Sequence, residues 1–400
     1  MENRRVMMGF ALALGWLSTT GCQPNRAVES PQTPRANQAP ARFPRPKEVR
    51  GVYVTAWKAG ESKMLGNLLT MLGRTEINSI VVDIRDAGYV YFDGDLPLSR
   101  SSGALRVAVP KPQRLMSQLE AAKLYPIARI ACFRDDFVPK KHPELGVCLK
   151  NGRPWKDGGG HLWLDPYNRK NWDYLASIVD LALDLGFPEI QLDYVRFPSE
   201  GAKGTQVFPA QRAYPDQKAG PDDVILAFAN FMGERVRKRG ARYTADIFGI
   251  ISSTKGDQGI GQTLEKIAQP FDVICPMVYP SHFAAGEYGI ANPNRSPYAI
   301  VKKSLADFRL RVPKQAVRPW LQDFSLGVAY GKAEVRAQIK AARELGYSEY
   351  LLWNPKGRYT EAAIKDNSDL KVIEPSAKKP NREPKLPRVL HQRGLARPSR

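Results

Sequence analysis

The stretch Phe187-Pro-Glu-Ile-Gln-Leu-Asp-Tyr-Val-Arg-Phe-Pro198 contains a short apolar run, Ile190 to Leu192, that ends on a carboxylate, Asp193. Tyr194 and Arg196 follow before Pro198 breaks the run. The arrangement recurs along the chain. Asp83 closes the run from Ser79 and leads to Arg85 and Asp86, and Asp135 follows Arg134 after Pro126–Phe133. Asp246 lies within Tyr243–Phe248, and Asp323 within Val317–Phe324. Acids placed where buried strands emerge are held rigidly and face whatever lies above the sheet. Two carboxylates across a cleft suit cleavage of a glycosidic bond. One must be protonated to donate to the leaving oxygen; the other, ionised, attacks or activates water. Crowding several acids in a partly buried site raises the pKa of one of them and keeps it protonated near neutrality.

The reading assigns Asp193 as nucleophile or charge stabiliser and Asp246 as general acid/base. Asp83 and Asp323 would bind sugar hydroxyls or tune pKa values, with Arg196 and Tyr279 as hydrogen-bond donors. Trp and Tyr faces stack on the apolar faces of sugar rings, and Trp57, Tyr279, Trp320 and Trp353 are the candidates, with Trp155 and Trp163 on a long loop. His282, in Tyr-Pro-Ser-His, would reach a substrate hydroxyl. Each type also has a plainer use. An aspartate can cap a helix or pair with an arginine, and a tryptophan can pack; for Asp86, Asp135 and Trp320 that use is as good a reading.

These residues need a scaffold, and the chain supplies strict alternation from Gly51 onward. Apolar runs at Gly51–Trp57, Ser79–Arg85, Pro126–Phe133, Ile190–Leu192, Tyr243–Phe248, Val273–Tyr279, Val317–Phe324 and Glu349–Asn354 read as strands. Helical patterns follow near Ser62–Arg74, Pro112–Lys123, Arg169–Leu185, Pro221–Lys238, Gly261–Ala268, Pro297–Leu310 and Lys332–Leu345, and a terminal one spans Thr360–Lys365. Ser62 reads as an N-cap. Eight strand–helix units predict a parallel sheet closed into a single (β/α)8 TIM barrel, with its site at the C-terminal ends of the strands. An open doubly wound sheet would offer a Gly-rich phosphate loop after the first strand, and Trp57-Lys-Ala-Gly-Glu-Ser is not one.

Outside the barrel, expected over 50–370, the composition changes. Residues 1–22 read as a signal peptide: Arg4 and Arg5, an apolar run Val6–Leu17, then Gly21-Cys22 in a lipobox-like setting. Thr19 departs from the usual leucine. Cys22 would carry a lipid and hold the protein on the cell envelope; plain secretion is the alternative. Residues 23–49 form a proline-rich linker and 371–400 a basic tail, both expected to be disordered. The net charge of +20 is concentrated there: Ala377–Arg400 holds eight Lys/Arg against Glu383. No interleaving of basic and aromatic residues marks a specific nucleic-acid site, and the partners expected are a polysaccharide and a membrane, for a monomer.

Other chemistries lack their residues. The four histidines, His142, His161, His282 and His391, form no metal-ligand spacing, and no Gly-x-Ser-x-Gly elbow is present. No metal or cofactor is expected. With Cys22 lipidated, Cys132, Cys148 and Cys275 remain, enough for one disulfide, for which Cys132–Cys148 is the candidate.

Eight motifs occur here in one order: Gly-Val-Tyr-Val-Thr-Ala-Trp, Val-Val-Asp-Ile-Arg-Asp, Trp-Leu-Asp-Pro-Tyr, Gln-Leu-Asp-Tyr-Val-Arg-Phe-Pro, Ala-Asp-Ile-Phe-Gly, Cys-Pro-Met-Val-Tyr-Pro-Ser-His, Trp-Leu-Gln-Asp-Phe and Leu-Leu-Trp-Asn. Together, over about Arg50 to Lys365, they resemble a bacterial family of glycoside hydrolase-like domains, the domain of unknown function numbered 4015. The resemblance implies a TIM barrel and glycosidase chemistry, with no particular substrate. Met-Val-Tyr and Trp353 look more distantly like chitinase-type barrels, whose acid is a glutamate just beyond the fourth strand. Tyr194, Val195 and Arg196 stand there instead, which argues against that substrate-assisted mechanism. Two rival readings remain: a carbohydrate-binding barrel without catalysis, and an envelope scaffold gripping anionic polymers through its tail.

Overall fold

The computed structural model describes residues 42–202 and 204–365. The expected signal peptide with Cys22, residues 23–41 of the expected linker and the basic tail lie outside the described residues. Nine strands run in order: β1 (Arg50–Val54), β2 (Ser79–Asp86), β3 (Tyr89–Val90), β4 (Tyr125–Ala131), β5 (Glu189–Asp193), β6 (Arg242–Phe248), β7 (Val273–Met277), β8 (Trp320–Gln322) and β9 (Tyr350–Trp353). All except β3 are parallel, and β1 pairs with both β2 and β9, so the sheet closes on itself. The result is a (β/α)8 TIM barrel. β3 hangs from β2 as an antiparallel hairpin through Ala87-Gly88, both at positive φ. A two-residue turn of that hand suits Gly, and a Cβ on Gly88 would meet Asp135 Oδ1 at 2.7 Å.

The strands are apolar because both faces are covered: Ile80, Val81, Val82, Ile127, Ala128, Ile130, Ile190 and Leu192 are all fully buried. Helices follow at Ser62–Leu72, Pro112–Ala121, Arg169–Asp184, Pro221–Lys238, Leu264–Ile267, Pro297–Arg311, Lys332–Arg343 and Glu361–Ile364. Two expectations change here. The helix expected over Gly261–Ala268 is a single turn, and Ser62 is not the cap. Glu61 is: its carboxylate accepts from Lys63 N at 2.9 Å and Met64 N at 2.6 Å, which an acid at a helix N-terminus does well.

The N-terminal end of the barrel is closed by charge. Arg318 Nη1 meets Glu189 Oε1 at 2.6 Å, and its Nε meets Glu349 Oε2 at 2.9 Å, with Arg318 and Glu189 fully buried. Arg45 pairs with Glu349 from outside, and Phe43 and Val49 are buried, so the linker expected over 23–49 is already packed on the barrel from Arg42. The disulfide is also corrected. Cys132, Cys148 and Cys275 are free thiols. Cys132 follows β4 with its Sγ toward Ile130 O at 3.5 Å, whereas Cys148 pairs by backbone with Val207 and Pro154 in the long loop.

Candidate active site

The strand-end acids converge on one arginine that sequence reasoning missed. Arg129 lies in mid-β4 and points into the barrel mouth, almost wholly buried. Its Nη1 meets Asp83 Oδ1 at 2.6 Å, its Nη2 meets Asp193 Oδ2 at 2.6 Å, and Asp86 Oδ1 lies 3.4 Å away. Its Nε is 3.0 Å from Asp193 Oδ2 and 3.9 Å from Asp246 Oδ2. The place a cation would take among these carboxylates is therefore occupied by a guanidinium. Among the described residues no cluster of His, Cys, Asp and Glu is arranged to hold a metal ion.

Asp193 ends β5, and the chain turns sharply behind it. Tyr194 adopts φ 49°, a left-handed conformation uncommon for a bulky residue and of a kind that clusters at functional sites. The turn lets Tyr194 N donate to Asp193 Oδ1 at 2.6 Å and brings Tyr194 OH to Arg134 Nη1, which donates at 2.6 Å. Asp246 sits on β6 as the neighbour across the sheet. Its Oδ1 accepts from Gln191 Nε2 at 2.7 Å and Trp320 Nε1 at 2.6 Å. Burial, and then the nearby Asp193 charge, push the Asp246 carboxyl well above the usual carboxylate range. Its Oδ2 is the oxygen left to carry a proton.

A cavity of about 370 Å³ lies over this pair. Asp193, Asp246, Arg196, Tyr279, His282, Trp320 and Trp353 line it, so seven of the candidate residues from the sequence come together. Arg129, Tyr194, Glu200, Phe248 and Met277 line it as well. Trp353 stacks on Tyr53 at 3.8 Å between ring centroids, and Arg129 lies over its ring at 5.1 Å. Arg196 is clamped against Phe248 and Trp163 (4.5 and 4.9 Å to the ring centroids), with Nη1 donating to Phe197 O and Ser199 Oγ. His282 shares a 2.9 Å hydrogen bond with Ser281 Oγ at the rim. Glu200 supplies a carboxylate from the loop after β5. It stands four residues beyond Arg196, further out than the strand end itself.

Three of the proposed substrate residues lie outside that lining. Asp83 accepts from Tyr53 OH at 2.5 Å as well as from Arg129, and burial pushes its carboxyl up to about 7 against the pull of that arginine. Asp323 is taken by Thr360: Oδ2 accepts from Thr360 N at 2.8 Å and Oδ1 from Thr360 Oγ1 at 2.6 Å. Burial moves it up to about 6. Trp57 belongs to the short helix Ala56–Gly60 beyond β1 and is exposed. Asp135 is locked to Arg85, both fully buried, and caps the turn at Phe137 and Val138. Trp155 and Trp163 are buried within the long loop, their indole N–H groups donating to Thr205 and Asp157.

A carboxyl whose folded pKa is raised binds its proton more tightly in the fold than in the unfolded chain. Its share of stability is complete below the unfolded value near 4 and is lost as pH rises through the folded value. For Asp83 at about 7 and Asp323 at about 6, that loss spans about pH 4 to 7. Asp323→Asn should therefore lose less stability between pH 5 and pH 7 than the wild type in urea unfolding. Equal losses in the two proteins would remove Asp323 from the account.

A closed parallel barrel with paired acids and aromatics at its C-terminal mouth defines a glycosyl hydrolase-like TIM barrel. The chain belongs to the family described as "Putative glycosyl hydrolase domain", the domain of unknown function 4015, which matches residues 51–359. Among solved structures, the glycoside hydrolase domain of PgaB (BpsB) from Bordetella bronchiseptica shares the fold with a TM-score of 0.64. It is 16% identical over 82% of this chain and 100% of its own. A hypothetical protein from Ruminiclostridium thermocellum ATCC 27405 is 33% identical over 49% of this chain and 96% of its own, with a TM-score of 0.44. No functionally curated protein matches the chain.

Proposed function

We propose that the protein hydrolyses glycosidic bonds in a polysaccharide, with Asp193 as nucleophile and Asp246 as general acid and then base. The observation that carries this reading is the unequal treatment of two neighbouring acids. Asp193 is ion-paired to Arg129 at 2.6 Å, whereas Asp246 is buried against Trp320 and Gln191, which with the Asp193 charge pushes its carboxyl well above the usual range. That asymmetry divides the roles the reaction needs. Asp246 Oδ2 protonates the leaving oxygen while Asp193 bonds to the anomeric carbon. Asp246, now a carboxylate, takes a proton from the water that releases the sugar. Both Oδ2 atoms lie within reach of Arg129 Nε, at 3.0 and 3.9 Å, so they stand no more than about 7 Å apart. That limit accommodates a retaining pair, whose carboxyls lie about 5–5.5 Å apart, and leaves only the narrow end of the roughly 6.5–9.5 Å gap that an inverting pair keeps for water. Trp353, held by stacking on the buried Tyr53, gives the cavity an aromatic wall, and the cavity is at the lower end of ligand-site volumes, with room for a short saccharide.

The pH dependence tests the assignment. A general acid must be protonated, so kcat/KM should fall on the alkaline side at a pH well above the ordinary Asp value of about 3.9. Asp246→Asn should abolish that alkaline limb. It should lower kcat/KM on glycans by about 10²–10⁴-fold and lower it far less on aryl glycosides whose leaving group needs no proton. An equal loss on both substrates would remove Asp246 from the acid role.

A further inference from the structure

Trp57 is the most exposed large apolar side chain among those described, at 58%, and it stands at the mouth of the barrel. Thr55 caps its short helix directly after β1, and Lys58 holds that helix to Gly357 O in the loop that follows β9. The indole meets Tyr91 edge-on at 6.1 Å, and Tyr91 lies beside Tyr89 at 6.2 Å. These rings lie outside the cavity lining, on the β1 and β2 side of the same mouth. Tyr89 pairs with Asp86 across the β2–β3 hairpin, and Tyr91 N donates to Ile84 O at 3.0 Å, so both residues stand beside the strand-end acids of β2. The half-buried Asp86 lies 3.4 Å from Arg129 and 3.9 Å from Arg134, whose guanidinium covers Tyr194 at 4.4 Å, a wall of the cavity. Trp57 is thus linked through Tyr91, Tyr89, Asp86 and Arg134 to Tyr194 on the cavity wall.

A lone exposed tryptophan on a surface needs no explanation. One that leads, through an aromatic and a carboxylate, into an acid-floored cavity has the chemistry of a sugar platform: a flat apolar face flanked by hydrogen-bonding groups. The cavity itself has room for a short saccharide. We propose that Trp57, backed by the buried Tyr91, forms a distal glycan subsite, so that the protein takes a polysaccharide chain along the barrel mouth and cuts within it rather than trimming its ends. This rests on the hydrolase reading above and names its substrate as a chain longer than the cavity.

The test compares polymer with short oligosaccharide for wild type, Trp57→Ala and Trp57→Phe, using bacterial exopolysaccharides and peptidoglycan glycan strands, each intact and as a short-chain digest. Trp57 is mostly exposed and meets Tyr91 only edge-on, so its truncation should leave the fold in place. Trp57→Ala should lower the ratio of kcat/KM on polymer to kcat/KM on the digest by about tenfold, through KM, and Trp57→Phe should restore most of it. Polymer length should fall early in the wild-type reaction, before short products accumulate. An unchanged ratio, an equal loss on both lengths, or release of short sugars with polymer length preserved would overturn the subsite. If no glycan is cleaved by the wild type, the hydrolase reading fails by itself. Quenching of tryptophan fluorescence by intact polymer, stronger in wild type than in Trp57→Ala, would then still support the platform, and equal quenching would dismiss it.

Discussion

Asp193→Asn is expected to lower kcat by at least about 10⁴-fold while leaving glycan binding within a few-fold of wild type. The side chain keeps its size, and Arg129 retains Asp83 at 2.6 Å and Asp86 at 3.4 Å, so the cluster stays neutralised and the barrel stays folded. What is lost is the oxygen that bonds to the anomeric carbon. A variant that still hydrolyses at a tenth of the wild-type rate would mean that Asp193 orients Arg129 and attacks nothing. Glu200, the further carboxylate on the cavity wall, would then be the next nucleophile to test.

The second large effect is on stability, at the opposite end of the barrel. Arg318→Leu should destabilise the protein by about 3–5 kcal/mol, because Glu189 is left charged and unpaired at zero exposure. Against a typical total of about 5–15 kcal/mol, that is a large fraction. Replacing both residues by leucine should cost less than the single change, since the uncompensated charge goes with its partner. Urea midpoints for the two variants measure this directly. A double variant worse than the single one would show that packing around Arg318, and not its charge, holds the barrel floor.

The barrel is legible in the sequence because each strand is an apolar run that only a doubly covered sheet can use, followed by a helix of amphipathic spacing. The acids at strand ends are legible for the same reason, being the points where such runs stop. What a strand-end acid bonds to is not. Asp83 finds Tyr53 and Arg129, and Asp323 finds Thr360, across separations of 30, 46 and 37 residues. Nothing local in the sequence distinguishes either from Asp193 or Asp246. Arg129 left a usable sign, a lone arginine in the otherwise apolar Tyr-Pro-Ile-Ala-Arg-Ile-Ala, where only an inward charge partner makes burial tolerable. Tyr194 and Glu200 left none, since the first depends on a backbone turn and the second on the course of a loop. Trp57 reads as a strand-end residue because the apolar run continues through it; Thr55 caps a helix there and Trp57 is exposed.

The most direct measurement is whether a glycan that occupies the cavity is also cut. Wild-type protein and Asp193→Asn would be incubated with intact bacterial exopolysaccharides and peptidoglycan, following binding by tryptophan fluorescence and cleavage by reducing-end release. The account predicts that the glycan bound by both proteins is cleaved by the wild type alone. A glycan held in the cavity by both and cleaved by neither would contradict it and leave a carbohydrate-binding barrel.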